Sequence, residues 1–179
     1  MANSAPASIL EVRRLDAVSE PQLQALADVL VDCVDGGASV SFMLPMTRDK
    51  ALAFWRKVAD GVARGERALL VAEDAQGIVG TVQVILDQPE NQPHRADVAK
   101  MLVHRRVRRR GLGESLMRAA EREAAREGKT LLVLDTADDT AARLYARVGW
   151  QRVGTIPRYA LLPGGGECAT TFFYRALPT

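Results

Sequence analysis

The sequence predicts one α/β domain, a mixed sheet flanked by four helices. Seven short apolar segments have the composition or alternation of strands: 9–15, 68–73, 78–86, 96–103, 131–134, 150–156 and 169–177. Four segments between them carry apolar residues three and four positions apart, with capping residues or glycines at their ends. The order is β-α-α-β-β-β-α-β-α-β-β, and 179 residues suffice for one such domain and are few for two.

The first two helices follow the first strand without an intervening strand. Ser19 is the predicted N-cap of the first helix, with Gln22 at the capping-box position, and the glycines at 36–37 end that helix. The second helix is predicted to start near Thr47 and to end at Gly65. Residues 1–8 are small and polar, and we expect them to form a flexible N-terminus before a single domain at 9–179.

A hairpin and a third strand follow the second helix. The sequence Asp-Ala-Gln-Gly at 74–77 is typical of a turn, so 68–73 and 78–86 are predicted to pair. Strict alternation along 96–103 predicts Asp97, Ala99, Met101 and Val103 on one face, with Val98, Lys100 and Leu102 on the other.

The second half of the chain alternates helices and strands. A helix is predicted to end near residue 127, and the unbroken apolar run 131–134 is typical of a central strand covered on both faces. Asp138 or Asp139 can cap the fourth helix. The last two strands are joined through a proline and three glycines at 163–166.

Composition excludes several classes of protein. Hydrophobic residues make up 47% and charged residues 26%, which is ordinary globular usage. The sequence has no apolar run of about 18 residues and no pattern of a signal peptide, so we expect a cytoplasmic protein that does not cross a membrane. Cys33 and Cys168 have no His or Cys at metal-ligand spacing, which argues against a disulfide framework and a zinc site.

The net charge of +2 hides one basic locus, the five arginines within residues 105–110. Without them the chain has 19 basic and 22 acidic residues. The arginines follow a strand and lead through Gly111 and Gly113 into a helix, whose first amides have no partner in the helix and favour an anion such as phosphate. A solvated arginine loop would explain the same residues.

Two other phosphate motifs do not fit. A dinucleotide-binding GxGxxG would need glycine where Leu116 stands. The Gly-Lys-Thr at 128–130 follows a helix, and Glu123 occupies the position of the first P-loop glycine. These mismatches disfavour a dinucleotide-dependent oxidoreductase and a P-loop kinase.

Two segments resemble a known family. Arg108-x-x-Gly111-x-Gly113 resembles the acetyl-CoA signature of the GNAT superfamily of N-acetyltransferases, and residues 141–150, Ala-Ala-Arg-Leu-Tyr-Ala-Arg-Val-Gly-Trp, resemble its A-x-x-x-Y-x-x-x-G-F segment. Asp138 replaces a frequent Asn and Trp150 replaces Phe. Residues 36–43, together with 134–136, resemble the tabtoxin-resistance branch. The resemblance implies a mostly antiparallel seven-stranded sheet flanked by four helices.

The resemblance also implies roles for particular residues. The amides of 109–113 would hold the pyrophosphate of acetyl-CoA, and the backbone of 101–103 would pair with its pantetheine arm and polarise the thioester carbonyl. Tyr145 occupies the position of the general acid. The implied cofactor-binding residues are Met101, Leu102, Val103, Arg108, Arg109, Arg110, Gly111, Leu112, Gly113 and Glu114.

The acceptor side is argued from charge and size. A free alkylamine has a pKa near ~10.4 and must lose a proton before it attacks. Asp135, at the carboxyl end of the central strand, and Asp97 are the candidate bases, although each could be a cap or loop ion pair. His94 and His104 are weaker candidates. The small residues after the first helix are candidates to bind the acceptor: Gly37, Ala38, Ser39 and Ser41.

The predicted function is transfer of the acetyl group of acetyl-CoA to a primary amine of a small molecule, such as a toxin or an antibiotic, without a metal. A protein or peptide amine and an aminoglycoside are the alternative acceptors. A non-catalytic acyl-CoA-binding protein is a second alternative. A nucleic-acid-binding module is disfavoured because only 5% of the residues are aromatic and the basic surface is narrow. The sequence leaves open whether the chain forms a homodimer.

Overall fold

The computed structural model describes residues 10–178, which form seven strands and four α-helices. The predicted flexible residues 1–8 and the predicted start of the first strand at Ile9 lie outside the described residues. The elements in chain order are β1 (Val12–Leu15), α1 (Glu20–Asp35), α2 (Arg48–Ala63), β2 (Arg67–Asp74), β3 (Gly77–Ile85), β4 (Arg95–Val103), a 3-10 turn (Arg105–Val107), α3 (Leu112–Arg126), β5 (Leu131–Thr136), α4 (Asp139–Arg147), β6 (Gln151–Leu161) and β7 (Glu167–Ala176).

All seven strands belong to one sheet in the order β1-β2-β3-β4-β5-β7-β6. The β4–β5 pair is parallel and the five other neighbouring pairs are antiparallel. The predicted fold class, a mixed and mostly antiparallel sheet flanked by four helices, is therefore confirmed. No helix within residues 10–178 is long and apolar enough to cross a membrane.

The helix starts agree with the capping chemistry of the sequence. Ser19 Oγ accepts from the Gln22 amide at 3.4 Å, and the Gln22 side chain accepts from the Ser19 amide at 2.9 Å, which is the predicted capping box. Thr47 caps α2. Of the two aspartates proposed to cap α4, Asp138 does so, by accepting from the Ala141 amide at 2.7 Å.

Strands β2 and β3 are buried on both faces, each face in a separate core. The α1/α2 core contains Leu26, Leu30, Trp55, Leu69 and Val71. The α3/α4 core contains Leu70, Ala72, Leu116, Met117, Tyr145 and Trp150. Successive residues of β2 enter different cores, as the period of two in a strand requires. Burial on both faces explains why β2 and β3 are almost continuously apolar.

Strands β4 and β5 separate after a short paired region. Within the described part of the chain they pair only where Arg95–Asp97 face Leu131–Val133. Beyond that point β4 continues to Val103 and β5 to Thr136, but the two strands no longer pair with each other. The backbone groups of β4 that would otherwise bond β5 are thus available to an extended ligand.

A β-bulge in β4 overturns the predicted alternation of its faces. Thr81 pairs with Leu102 and Gln83 with Ala99, so two residues of β4, Lys100 and Met101, stand opposite one residue of β3. Lys100 has a φ of +50°. Beyond the bulge the parity reverses, and Met101 packs on the α3/α4 core with Val98, not on the face of Asp97. The expectation of strict alternation was wrong because the sequence does not mark the extra residue.

Candidate active site

A cleft of about 880 Å³ occupies the gap between the separated ends of β4 and β5. Its walls come from the loop after α1, the second half of β4, the start of α3, the end of β5, the face of α4 and the end of β6. The cleft therefore reaches from a helix N-terminus to the carboxyl end of a central strand, where ligands collect in α/β sheets.

The helix end of the cleft presents a series of unbonded amides. Arg109 has a φ of +62° and Gly111 a φ of +78°, and these left-handed residues turn the chain into α3. Gly111 is the N-cap and provides no side chain to bond the helix amides. The amides of residues 109–114 donate to no acceptor within residues 10–178. Together with the helix dipole, they form a receptor for a phosphate or a pyrophosphate.

Gly113 allows α3 to lie close to the cleft wall. A Cβ at this position would stand 3.0 Å from Leu144 Cδ2 on α4 and 3.9 Å from the end of Met101 on β4. A side chain here would require Leu144 to shift by a few tenths of an ångström, whereas the contact with Met101 would be an ordinary van der Waals contact. The two glycines therefore serve different purposes: Gly111 for its backbone conformation and Gly113 for its lack of a side chain.

The five arginines do not act as one basic group. Arg105 and Arg106 form ion pairs with Asp32 and Asp74, respectively. Arg108 turns back, and its Nε donates to Val103 O at 3.1 Å. Arg109 and Arg110 make no ion pair within residues 10–178, and both are exposed. Of these two, Arg109 lines the cleft and Arg110 does not.

The remaining predicted cofactor residues mostly line the cleft. Met101, Leu102 and Val103 form its β4 wall, and Arg108, Leu112, Gly113 and Glu114 lie at its helix end. His104 and His94 do not line it. His104 accepts from the Arg106 amide at 3.2 Å and lies 3.7 Å from Asp32, so it supports the arginine turn.

Tyr145 places a phenol in the cleft from a buried position. Its side chain is only 5% exposed, with its ring edge-on to Phe173 at 5.7 Å between ring centres. The hydroxyl has no hydrogen-bond partner within the described residues, yet the residue lines the cleft. Burial, followed by the nearby charges of Asp138 and Asp135, raises the pKa of Tyr145 far above its usual range. The phenol therefore stays protonated at neutral pH.

Asp135 reaches the cleft from the end of β5. It is exposed, and within residues 10–178 its carboxylate takes part in no ion pair and accepts no hydrogen bond. Partial burial raises the pKa of Asp135, Lys100 opposes this shift, and Asp97 adds to it. A carboxylate with a raised pKa and no partner is a suitable acceptor for a proton from a ligand.

Asp97 has partners and lies outside the cleft. It forms an ion pair with Arg95, and Gln88 Nε2 donates to its other oxygen at 3.2 Å. Its strand position pairs with Val133, two residues before Asp135. Asp97 thus influences the pKa of Asp135 from a distance, while the structure brings only Asp135 of the two candidate bases into the cleft.

The loop after α1 bounds the acceptor end of the cleft. Gly37, Ala38, Ser39 and Ser41, the predicted acceptor-binding residues, all line it. Ser39 Oγ donates to Leu161 O at 3.4 Å, and the Leu44 amide donates to Pro163 O at 2.9 Å. These bonds tie the loop to the β6–β7 hairpin.

Lys100 is a cleft residue that the sequence analysis did not select. It lies at the bulge of β4, and its Nζ donates to Ser41 Oγ at 3.1 Å. Burial lowers the pKa of Lys100, and Asp135 partly offsets this effect. Alternation alone gave no reason to single out this lysine, because its orientation depends on the bulge. The described residues contain no group of three or more potential metal-ligating side chains.

One family model matches about half of the chain. Residues 65–152 match the model of the acetyltransferase (GNAT) domain family. This range contains β2 to α4 and thus the amides of α3, the separated strands and Tyr145.

Solved structures share the fold over nearly the whole chain. A ribosomal-protein-alanine N-acetyltransferase from Brucella melitensis superposes with a TM-score of 0.79 at 21% identity, covering 94% of this chain and all of that one, 100%. The protein yncA from Salmonella typhimurium, solved with acetyl-CoA, gives 0.76 at 18% identity and 96% coverage of both chains. A phosphinothricin acetyltransferase from Sinorhizobium meliloti, also with acetyl-CoA, gives 0.76 at 14% identity, covering 94% of this chain and 88% of that one. The TM-scores establish the shared fold. Because the identities are low, the acceptor must be argued from this chain's own side chains.

Proposed function

We propose that the protein, whose residues 65–152 match the model of the acetyltransferase (GNAT) domain family, moves the acetyl group of acetyl-CoA to a primary amine of a small molecule. The observation that carries this proposal is the cleft between β4 and β5. One end of this cleft offers unbonded amides for a pyrophosphate, and the other end offers a free carboxylate beside a protonated phenol.

The cofactor end fits acetyl-CoA. Six successive amides at residues 109–114 and the unpaired guanidinium of Arg109 match the charge and the acceptor oxygens of a pyrophosphate. The edge of β4 that β5 leaves unpaired after Asp97 suits the amide-containing pantetheine arm, which can bond it as an added strand up to Val103, whose carbonyl accepts from Arg108. When bound, acetyl-CoA supplies an acetyl group activated as a thioester.

Asp135 prepares the acceptor. The ammonium form of an alkylamine cannot attack a carbonyl, and its pKa near ~10.4 makes it the dominant form at neutral pH. Asp135 accepts the proton, directly or through one water, so that the amine attacks as a neutral nucleophile. The raised pKa of Asp135 improves this carboxylate as a base relative to an ordinary surface aspartate.

Tyr145 assists the departure of the sulfur. A thiolate leaves more readily when it receives a proton or a hydrogen bond. The phenol of Tyr145 holds its proton firmly because burial disfavours the charged phenolate. Because it keeps its proton more firmly than a thiol does, it donates a hydrogen bond to the departing thiolate, and the CoA thiol takes up its proton from solvent.

The small size of the acceptor is supported by the loop at residues 36–43. Its two bonds to the β6–β7 hairpin hold the loop in place on the side of the cleft on which Asp135 lies. A folded protein acceptor would need an open groove for an extended chain on that side. Similarity to a phosphinothricin acetyltransferase supports a small acceptor and a detoxifying or resistance role, while the Brucella relative is named for a protein acceptor.

We also propose that the enzyme works in the cytoplasm. Both Cys33 and Cys168 are free thiols, a state that a reducing compartment preserves.

A panel of amines tests the function. Release of the CoA thiol is followed with acetyl-CoA and single amines, including phosphinothricin, aminoglycosides, polyamines, amino acids and a short peptide with N-terminal alanine. Turnover with a small amine that exceeds turnover with the peptide supports the proposal. Binding of CoA without thiol release from any amine would identify a non-catalytic acyl-CoA-binding protein. Preference for the peptide would identify a protein N-acetyltransferase.

A further inference from the structure

Lys100 places a positive charge at the acceptor end of the cleft without an acidic partner. The ammonium donates to the hydroxyl of Ser41, which is neutral, and Lys100 has no carboxylate within 4.0 Å among the described residues. The bulge, with its φ of +50° at Lys100, directs the side chain toward the loop after α1. Neither catalytic step of the proposed reaction uses this ammonium.

Asp135 is the described carboxylate whose charge acts on the pKa of this lysine. Each group shifts the pKa of the other toward its charged form, so the two are close enough to interact. They nevertheless do not form an ion pair, and both line the same cleft. The side chain of Asp135 lies on the sheet face opposite Leu132 and Leu134, which pack in the α3/α4 core. Ser41 and Lys100 lie on the same side as Asp135, next to α1.

This arrangement costs free energy in the absence of a ligand. Partial removal of an ammonium from water is unfavourable, and one neutral hydroxyl compensates it incompletely. The carboxylate of Asp135 is exposed and has no protein donor within residues 10–178, so solvent alone hydrates it until a ligand binds. A ligand with both a positive and a negative group would satisfy the two side chains at once.

We propose that Lys100 binds the carboxylate of the acceptor while Asp135 receives its amino group, so that the acceptor is an amino acid. This inference rests on the proposed acetyl transfer and specifies the substrate class of the same site. Lys100 is then a specificity-determining residue, because it holds a group that does not react. Ser41 orients its ammonium across the cleft.

The charges favour this orientation over its reverse. The amino group must meet a base that removes its proton, and Asp135 is the unpaired carboxylate in the cleft. Asp135 also lies close enough to Tyr145 to affect the pKa of that phenol, so it stands near the expected leaving group. Among the described cations that line the cleft, Arg108 and Arg109 lie at the helix end, and Arg147 on α4 lies 3.9 Å from Glu114. Lys100 is the one that bonds the loop after α1.

Matched substrates test the proposal. We would measure kcat/KM by thiol release for the twenty amino acids, and then for the methyl ester and the decarboxylated amine of the best acceptor. The wild-type enzyme should prefer the amino acid by 10- to 100-fold, on the order of one charge-assisted hydrogen bond. In Lys100→Met this preference should fall toward unity, and Lys100→Arg should retain part of it.

Two controls separate recognition from folding. Lys57→Met makes the same substitution at an exposed position of α2 and should keep the wild-type preference. Thermal unfolding identifies a variant that fails to fold. Calorimetry with CoA present provides a readout that needs no turnover, and the amino acid should bind wild-type protein at least about tenfold more tightly than Lys100→Met.

Several results would overturn the inference while leaving acetyl transfer intact. These are equal kcat/KM for the amino acid and its decarboxylated amine, an unchanged preference in Lys100→Met, or acetylation of Lys100 itself detected by peptide mass spectrometry. The last result would make the lysine an acceptor. Failure of the proposed function looks different: no amine releases thiol, although CoA still binds.

Discussion

Replacement of Tyr145 by phenylalanine isolates the role of one hydroxyl. The ring is 5% exposed and packs against Phe173 at 5.7 Å and Trp150 at 6.3 Å between ring centres. Phenylalanine keeps these contacts. Since the hydroxyl bonds no acceptor within residues 10–178, its removal breaks no protein hydrogen bond. The free energy of unfolding should therefore change by less than about 1 kcal/mol.

The effect on the reaction should be much larger than the effect on stability. One proton-transfer group contributes on the order of 10²-fold, equivalent to about 2.7 kcal/mol of barrier. We expect kcat of Tyr145→Phe to fall by that factor, with nearly unchanged calorimetric affinity for acetyl-CoA. The pKa of Tyr145 is raised, so its phenol is protonated throughout the neutral range, and its loss should not alter the pH profile there.

Tyr174→Phe is the matched control, because Tyr174 donates to Gln151 outside the cleft. It should leave kcat unchanged. The assignment of Tyr145 as the acid fails if kcat of Tyr145→Phe stays near the wild-type value, or if Tyr174→Phe lowers kcat equally. A large loss of thermal stability in Tyr145→Phe would contradict the account of its hydroxyl.

Three further substitutions test other parts of the molecule. Gly111→Asp adds a negative charge beside the unbonded amides, at a φ of +78°, and should raise the acetyl-CoA KM at least about tenfold. Gly165→Asp is the matched control: it makes the same change at a φ of +99° in the β6–β7 turn and should leave this KM unchanged. Asp135→Asn should lower kcat/KM, while the calorimetric affinity for acetyl-CoA persists. In the wild type, kcat/KM should fall at low pH as Asp135 is protonated, at a pH above the usual range of an aspartate because burial raises the pKa of Asp135, and this fall should be absent from the variant. Full activity at neutral pH and sub-saturating amine would remove Asp135 from the mechanism. Leu116→Ala, at a side chain with 0% exposure, should lower the free energy of unfolding by about 2–5 kcal/mol in denaturant titration.

Local patterns predicted the order of the elements and most of their boundaries. The capping box at Ser19, the cap at Thr47 and the two-residue turn after Asp74 are short-range features, readable without knowledge of the sheet. The last hairpin was harder to predict from the sequence. Strand β6 was predicted at 150–156 and extends to Leu161, through a register irregularity between Ile156 and Ala160. Pairing with β7 extends this strand beyond its apolar start. Such pairing depends on the folded sheet, so the local sequence does not predict where the strand ends.

The candidate site was predictable where it depends on the backbone and less so where it depends on orientation. Glycines at 111 and 113 marked the helix N-terminus in the sequence, and the structure adds a separate reason for each. The arginines were counted together, although Asp32 and Asp74 neutralise two of them from distant elements. The bulge at Lys100 has no local signature, so its charge could not be assigned to the cleft from the sequence.

The difference between backbone features and side-chain orientation explains why a family signature indicates the cofactor and not the acceptor. Unbonded amides and separated strands are backbone features, and solved structures at 14% to 21% identity share the overall backbone fold. In the proposed reaction the acceptor instead meets side chains, above all Asp135 and Lys100, placed by the end of one strand and the bulge of another. On this proposal, a change of either residue alters the charge of the ligand that fits, while the backbone amides before α3 keep their positions. The acceptor class must therefore be established by the exchange of these two side chains, not by comparison of backbones.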